Sequence, residues 1–294
     1  FKVAFDKQSG LMTSYQWNGM EYLVNQFGPK PNFWRAPLDN DYGADLGRKL
    51  KEWHTNSNAE LKAKNLKVDT DNPNYTEVTA TYIYQNTNTE WKISYQIQNN
   101  GIIKVINSFV CNDEDAPIIP RIGLRMQVTD QLNQLTYFGR GPEENYIDRN
   151  TSQFIGEYSR PIKDMYEAYV RPQENEHRTD VRWLALTKKA GNGLLIIADD
   201  KIEFNASNYL LEDFDGGDYI DRGAPISEDM NNRHLTDPQP QKLVDLFIDY
   251  QMMGIGGDNS WGALPLSQYQ IYPGRDKAIE YSFTIVPIRK KSEI

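Results

Sequence analysis

The stretch VTATYIYQ (Val78–Gln85), with WKISYQIQ (Trp91–Gln98) after it, decides the fold class. Val78, Ala80, Tyr82 and Tyr84 fall on one side of an extended chain, with Thr79, Thr81 and Gln85 on the other. Trp91, Ile93, Tyr95 and Ile97 likewise alternate with Lys92, Ser94, Gln96 and Gln98. A period of two places alternate side chains on opposite faces of a strand. The polar Asn86-Thr87-Asn88-Thr89 lies between the two runs, so they form an antiparallel hairpin. Asn99-Asn100-Gly101 then supplies a turn, and GIIKVINSFV supplies a third strand. Three consecutive strands with half-apolar alternation predict a meander with one covered and one wetter face.

The same reading extends outward. Strands are predicted at Lys2–Phe5, Leu11–Trp17, Arg121–Val128, Gln134–Phe138, Arg182–Thr187, Leu194–Ala198, Lys201–Ala206, Leu243–Tyr250 and Ile279–Val286, and KQSG is a hairpin turn between the first two. Leu46, Leu50 and Trp53 are spaced as one helical face after Asp45, a candidate N-cap. A second helical turn is predicted near Ser207–Glu212. No internal repeat interrupts this pattern. The expectation is an all-β protein: a large antiparallel β-sandwich with one or two short helices, forming a single domain over residues 1–294.

Composition narrows the function. Hydrophobic residues make up 39% and charged residues 25%, which fits a globular chain. Eighteen Tyr, 6 Trp and 11 Phe favour strands and carbohydrate contact. The net charge of −9 argues against nucleic acid held through its phosphates. No apolar run approaches the ~18 residues of a membrane span, and no membrane partner is expected. Cys111 is the only cysteine, so no intramolecular disulfide and no cysteine-based zinc site can form. The chain opens on FKVAFD without an initiator Met or a leader pattern. It is therefore expected to be a piece of a longer protein, and its compartment is not indicated.

Candidate chemistry gathers in few places. MGIGGDNSWG (Met253–Gly262) packs glycines, Asp258 and Asn259 before Trp261. An indole offers an apolar face and one N–H, which suits the C–H face and hydroxyls of a sugar, although a tight turn delivering a core Trp reads the same way. Asp258 and Asn259 can hold the turn through side-chain to backbone bonds, or touch the sugar. Arg35, Asp39, Asn40 and Asp41 form a polar cluster that either shapes a loop as a buried Arg–Asp network or borders an active site. In GRGPEENYIDR, Asn145 and Tyr146 are expected to pack, and Asp148 with Arg140 and Arg149 to form surface or interface ion pairs. The loop holding Glu212, Asp213, Asp215, Asp218 and Asp221 reads as solvated, with oxygen ligation of calcium as the sharper alternative. The histidines are His54, His177 and His234; His177 and Glu174 sit on one segment, from which an acid/base pair could be built.

Four ordered segments carry a family resemblance. RAPLDNDYG (Arg35–Gly43), YFGRGPEENYIDRNTSQFIGEYS (Tyr137–Ser159), YVRPQENEHRTDVRWL (Tyr169–Leu184) and MGIGGDNSWGA resemble motifs of the last domain of family-two β-galactosidases. Glu176 stands where that family usually has Gly. The resemblance implies a supersandwich similar to the galactose-mutarotase fold. It also implies a parent enzyme that hydrolyses terminal β-D-galactosides with retention, through a carboxylate pair in an upstream (β/α)₈ barrel. The catalytic residues, and the catalytic Mg or Na, are then expected upstream, leaving no catalytic residue and no metal ligand in this chain. Trp261 is implied to be a sugar-stacking platform at the active-site mouth, with Asp258, Asn259, Arg35, Asp39, Asn40 and Asp41 as weaker binding candidates. The implied partners are the barrel and other domains of the same polypeptide, a β-galactoside and, for the parent, a homo-oligomer. The alternatives are a stand-alone carbohydrate-binding module, an aldose 1-epimerase-like enzyme, and a purely structural domain.

Overall fold

A computed structural model describes residues 1–215, 234–259, 262–275 and 278–294. The predicted meander is β6 (Tyr75–Tyr84), β7 (Thr89–Gln98) and β8 (Ile103–Cys111). Val78, Ala80 and Tyr82 sit opposite Tyr95, Ile93 and Trp91. These in turn face Val105, Asn107 and Phe109. All but the polar Asn107 belong to the main core. Trp91 Nε1 donates to Asn107 Oδ1 at 3.1 Å, which satisfies the buried indole. Phe33 packs against Trp53, Tyr84, Trp91 and Phe109 with centroid separations of 5.0–5.9 Å. Burying each such ring stabilises the fold by roughly 1.5–3 kcal/mol.

The remaining strands extend this seed. β1 (Lys2–Phe5), β2 (Met12–Trp17) and β3 (Met20–Glu21) form a small sheet of their own. Its Phe5 ring packs on Tyr95, and its Tyr15 hydroxyl donates to Gly101 O at 2.7 Å. After β4 (Lys30–Asn32) come three short helices: α1 (Asp39–Gly43), α2 (Leu46–Lys49) and α3 (Lys51–Asn58). Then follow β5 (Asn65–Asp69), the meander, β9 (Arg121–Thr129), β10 (Gln134–Gly141), β11 (Phe154–Pro161) and β12 (Arg178–Thr187). β13 (Gly193–Ser207), α4 (Leu211–Phe214), β14 (Leu243–Met252) and β15 (Ile279–Ile288) complete the described elements.

The large sheet is antiparallel throughout, in the order β11-β10-β12-β13-β15-β8-β7-β6-β5. β13 is the joint between layers. Gly193–Ala198 pairs with β15, whereas Glu203–Ser207 pairs with β14, which carries β9 and then β4 beyond it. The chain thus curls into a sandwich. Apolar residues of β9 and β14 (Leu124, Met126, Leu246, Ile248) share one core with the meander, and Tyr281 of β15 donates across it to Ile248 O at 3.1 Å. Among the described residues, no helix is long and apolar enough to cross a membrane.

The all-β reading holds, with local differences. The predicted strands at Leu194–Ala198 and Lys201–Ala206 are one continuous β13 that changes partner midway. Edge strand β11 is half exposed, so its sequence carries no clean alternation, and it was missed. Asp45 is no conventional cap: it has φ 60°, makes no capping bond and holds Arg48 instead. The predicted helical face, buried at Leu46, Leu50 and Trp53, is split into two pieces at Leu50. The second helical turn begins later than predicted, because Ser207 still belongs to β13.

Candidate functional site

The segment Met253–Asn259 runs on from β14, and its backbone is gripped from two sides. On one side is Arg35, 1% exposed. Its Nε and Nη2 donate to Asp41 at 3.1 and 2.9 Å, its Nη1 donates to Met253 O at 2.7 Å, and Nη2 also reaches Gly254 O at 3.1 Å. Asp41, in α1, also accepts the Leu38 N–H at 3.1 Å. The Arg–Asp network is therefore buried and shapes this loop. On the other side, Asp148 accepts the N–H groups of Ile255 at 3.0 Å and Gly256 at 2.8 Å. Arg149 donates to Gly256 O at 3.3 Å, and Asn40 to Ile255 O at 3.2 Å. Gly254 is required by this grip, since a Cβ there would lie 2.6 Å from the Asp148 carboxylate.

One expectation is corrected here. Asp148 forms no surface ion pair with the arginines; it binds loop amides, while Arg140 pairs with Asp180 at 2.8 Å. The expected packing of Asn145 and Tyr146 is seen, at 0% and 3% exposure.

A cleft of about 240 Å³ opens beside the loop. Asp39 and Asn40 line it from the first motif, Glu144, Tyr146 and Arg149 from the second, Tyr169, Gln173 and Glu174 from the third, and Ile255 from the fourth. All four quoted segments therefore meet at one place. Of the weaker candidates, Asp39 and Asn40 face the cleft, whereas Arg35 and Asp41 lie under the loop. Asp258 and Asn259 are exposed, and Asn259 Oδ1 accepts the Ala263 N–H at 3.3 Å, a turn-holding bond. Trp261 lies outside the described residues. Among the cleft residues of the second and third motifs, the sequence offers Glu174 as a partner for His177 and gives Tyr169 and Gln173 no role.

The cleft floor is acidic. Glu144 accepts the Tyr169 hydroxyl and, at 2.8 Å, the Glu176 N–H; burial nevertheless pushes its carboxyl above the usual carboxylate range. Glu176 adopts φ 68°, the left-handed region that glycine enters without strain. Its side chain is buried, accepts Ser207 Oγ at 3.1 Å, and is driven well above the usual range by desolvation.

Beneath the floor is a sealed charge network. His177, fully buried, stacks on Tyr146 with ring centroids 5.4 Å apart. Its Nε2 lies 3.0 Å from Glu203 Oε2, and its Nδ1 lies 2.8 Å from Asn205 Oδ1. Asn205 is oriented by donating from Nδ2 to Glu174 and to Asn175 O, so its oxygen faces His177. Each imidazole nitrogen thus has an oxygen within hydrogen-bond distance, Nδ1 that of Asn205 and Nε2 that of Glu203. A ring so engaged and closed to solvent is not free to take a proton from a sugar, and the geometry gives the epimerase reading no base at His177.

The acidic loop is described only in part. Glu212 grips Arg125 at 2.6 Å, Asp213 accepts the Leu210 N–H at 2.9 Å, and Asp215 accepts Trp34 Nε1 at 2.9 Å. Asp218 and Asp221 lie outside the described residues. No group of three or more His, Cys, Asp or Glu poised to hold a metal occurs among the described residues.

The sequence profile of the family described as β-galactosidase small chain matches residues 1–285. A β-galactosidase of Priestia megaterium is 31% identical over 288 residues, covering 98% of this chain and 26% of that protein. One from Halalkalibacterium halodurans is 29% identical over 289 residues, covering 97% and 26%. The chain thus spans about a quarter of the length of these relatives. Among solved structures, galactose 1-epimerase from Lactobacillus acidophilus matches at 8% identity and a TM-score of 0.42, over 76% of this chain and 67% of that one. With a profile match over nearly its whole length, the chain belongs to the β-galactosidase small-chain family.

Proposed function

We propose that this chain is the C-terminal β-sandwich domain of a retaining β-galactosidase that cleaves terminal β-D-galactosides. In this reading the catalytic carboxylates and the catalytic Mg or Na belong to an upstream barrel, and the domain caps that barrel. Its own contribution is a stacking platform, Trp261, which follows the gripped Met253–Asn259 segment in the sequence. The observation that carries the reading is the meeting of all four motifs around Met253–Asn259: a loop held in one geometry is what a platform at a shared active-site mouth requires.

The test is an assay of the purified chain on a chromogenic β-galactoside. No turnover above a heat-inactivated control is expected, because retaining hydrolysis needs two carboxylates ~5 Å apart on either side of the scissile bond. Turnover that titrates with this protein would overturn the reading.

A second measurement addresses Trp261 in the full-length parent. Stacking at such a platform contributes on the order of 1–2 kcal/mol, or about tenfold in affinity. Trp261→Ala should weaken the binding of acceptors and aglycones by that factor while bond cleavage persists. Unchanged acceptor binding, or a collapse in Tm of the variant, would count against the platform.

A further inference from the structure

Lys-Lys occurs at two places only in the sequence, Lys188–Lys189 and Lys290–Lys291. The fold sets them side by side. Gly191, with φ 92° in the turn between β12 and β13, packs so closely that a Cβ would lie 2.5 Å from the Lys291 backbone nitrogen. A groove of about 370 Å³ opens at this contact, within the range of about 300–1,000 Å³ typical of small-molecule sites. Arg160, Lys188, Lys189 and Lys291 line it, with the hydroxyl-bearing Thr136, Ser159 and Thr187 and no Asp or Glu. The nearby Glu143 is paired with Arg160 at 3.1 Å, and Glu293 accepts the Arg289 N–H at 2.9 Å. Lys188 Nζ donates to the neutral Gln131 at 2.6 Å. Among the described residues, the Lys189 and Lys291 ammonium groups have no partner.

Arg160 has its counter-charge in Glu143, but gathering three lysines beside it without one is unfavourable, and the chain as a whole carries −9, so the local excess is not a consequence of composition. We propose that this groove binds an oxyanion of the phosphate class, with room for the phosphate monoester of a sugar-sized molecule. Lysines would neutralise the anion as point charges; Thr187, and one hydroxyl of the Thr136–Ser159 pair that bond each other at 2.8 Å, would donate to its oxygens. The groove meets the start of β10, at Gln134–Thr136, whereas the cleft of the four motifs follows that strand's end at Gly141. An eight-residue strand at ~3.3 Å per residue separates the two. The proposal is therefore independent of the sugar platform.

The test is calorimetric titration of the chain with inorganic phosphate, galactose 6-phosphate and galactose, at ionic strength held constant with NaCl. Saturable binding of the two phosphates and none of galactose at this groove is expected. Lys189→Gln/Lys291→Gln should weaken phosphate binding at least about tenfold, with an unchanged Tm in phosphate-free buffer. Tighter binding of galactose 6-phosphate than of inorganic phosphate would identify a phosphate ester as the ligand; equal binding would identify the free ion. The proposal is overturned if neither phosphate saturates, or if the double variant binds as tightly as the parent sequence. Should the double variant be unstable, Thr187→Val together with a salt series provides the second reading: weaker binding, and a decline with rising NaCl, are expected, and their absence overturns the proposal.

Discussion

Asp41→Ala should destabilise the chain by about 3–5 kcal/mol, measured by urea denaturation, because it strands the Arg35 guanidinium in the core without its counter-charge. Removing one partner of a buried ion pair leaves a desolvated charge, which is worse than losing the attraction alone. The effect should extend to the loop. Arg35 donates to Met253 O and Gly254 O only while Asp41 holds its Nε and Nη2. Amide exchange at Ile255 and Gly256 should therefore quicken in the variant, although their own acceptor, Asp148, is untouched. A double replacement, Arg35→Met/Asp41→Leu, separates the charge effect from the loop effect. It removes the stranded charge but still deprives two loop carbonyls of donors, so it should recover part of the stability and none of the exchange protection. A loss under about 1 kcal/mol for Asp41→Ala would show that the pair is not the support described above.

How much was legible beforehand follows the sequence distance over which each feature is decided. The hairpin of β6 and β7 was readable because its register is written within one short stretch: Val78 faces Tyr95, and Tyr82 faces Trp91. β9 shows the limit. Its alternation reads as a strand with one wet face, yet every residue from Arg121 to Thr129 is buried. The arginines can be there because Asp245 and Asp249 come from β14, 120 and 128 residues later in the chain. Gly123 is part of the same arrangement, since a Cβ at that position would lie 1.7 Å from Asp249 Oδ1. No local pattern announces such a pairing.

The site divides in the same way. The resemblance picked out the four segments, and the glycines of Met253–Gly262 announced a loop. The reason for Asp148 was hidden, because the amides it holds lie 107 and 108 residues away. Read as a lone acid beside Arg149, it suggested an ion pair; placed opposite free N–H groups, it holds the loop. Glu176 is the converse case. A glutamate in place of the family's usual glycine left the geometry of that turn open in the sequence; the left-handed φ is adopted all the same, with the Glu176 N–H donating to Glu144 and its carboxyl accepting from Ser207.

The buried network under the cleft should make stability fall as pH rises through neutrality. Arg121 and His177 face three carboxyl groups, Glu174, Glu203 and Asp249, all nearly sealed from water. Three carboxyl groups outnumber the one permanent cation, Arg121, and in a low-dielectric interior an excess of negative charge is relieved by retaining a proton. Asp249 is the carboxyl that retains it: burial pushes it up from 3.8 to about 7, against the opposing pull of Arg121 and His177. In the unfolded chain this group loses its proton near 3.8, so between that pH and about 7 only the folded state holds it. The stabilisation is complete below the unfolded value, declines at up to about 1.4 kcal/mol per pH unit as pH rises, and levels off above the folded value. Asp180 and Glu212, whose carboxyls their cationic partners hold low, run the other way, so the raw pH profile mixes both signs. Comparison with Asp249→Asn isolates the term, because the amide oxygen can still accept the Arg121 Nε–H that Asp249 accepts at 2.9 Å. Urea denaturation at pH 5, 6, 7 and 8 should show the parent sequence losing stability relative to the variant up to about pH 7 and running parallel above it. Parallel curves across the whole range would mean that Asp249 is ionised throughout and that the network finds its balance elsewhere.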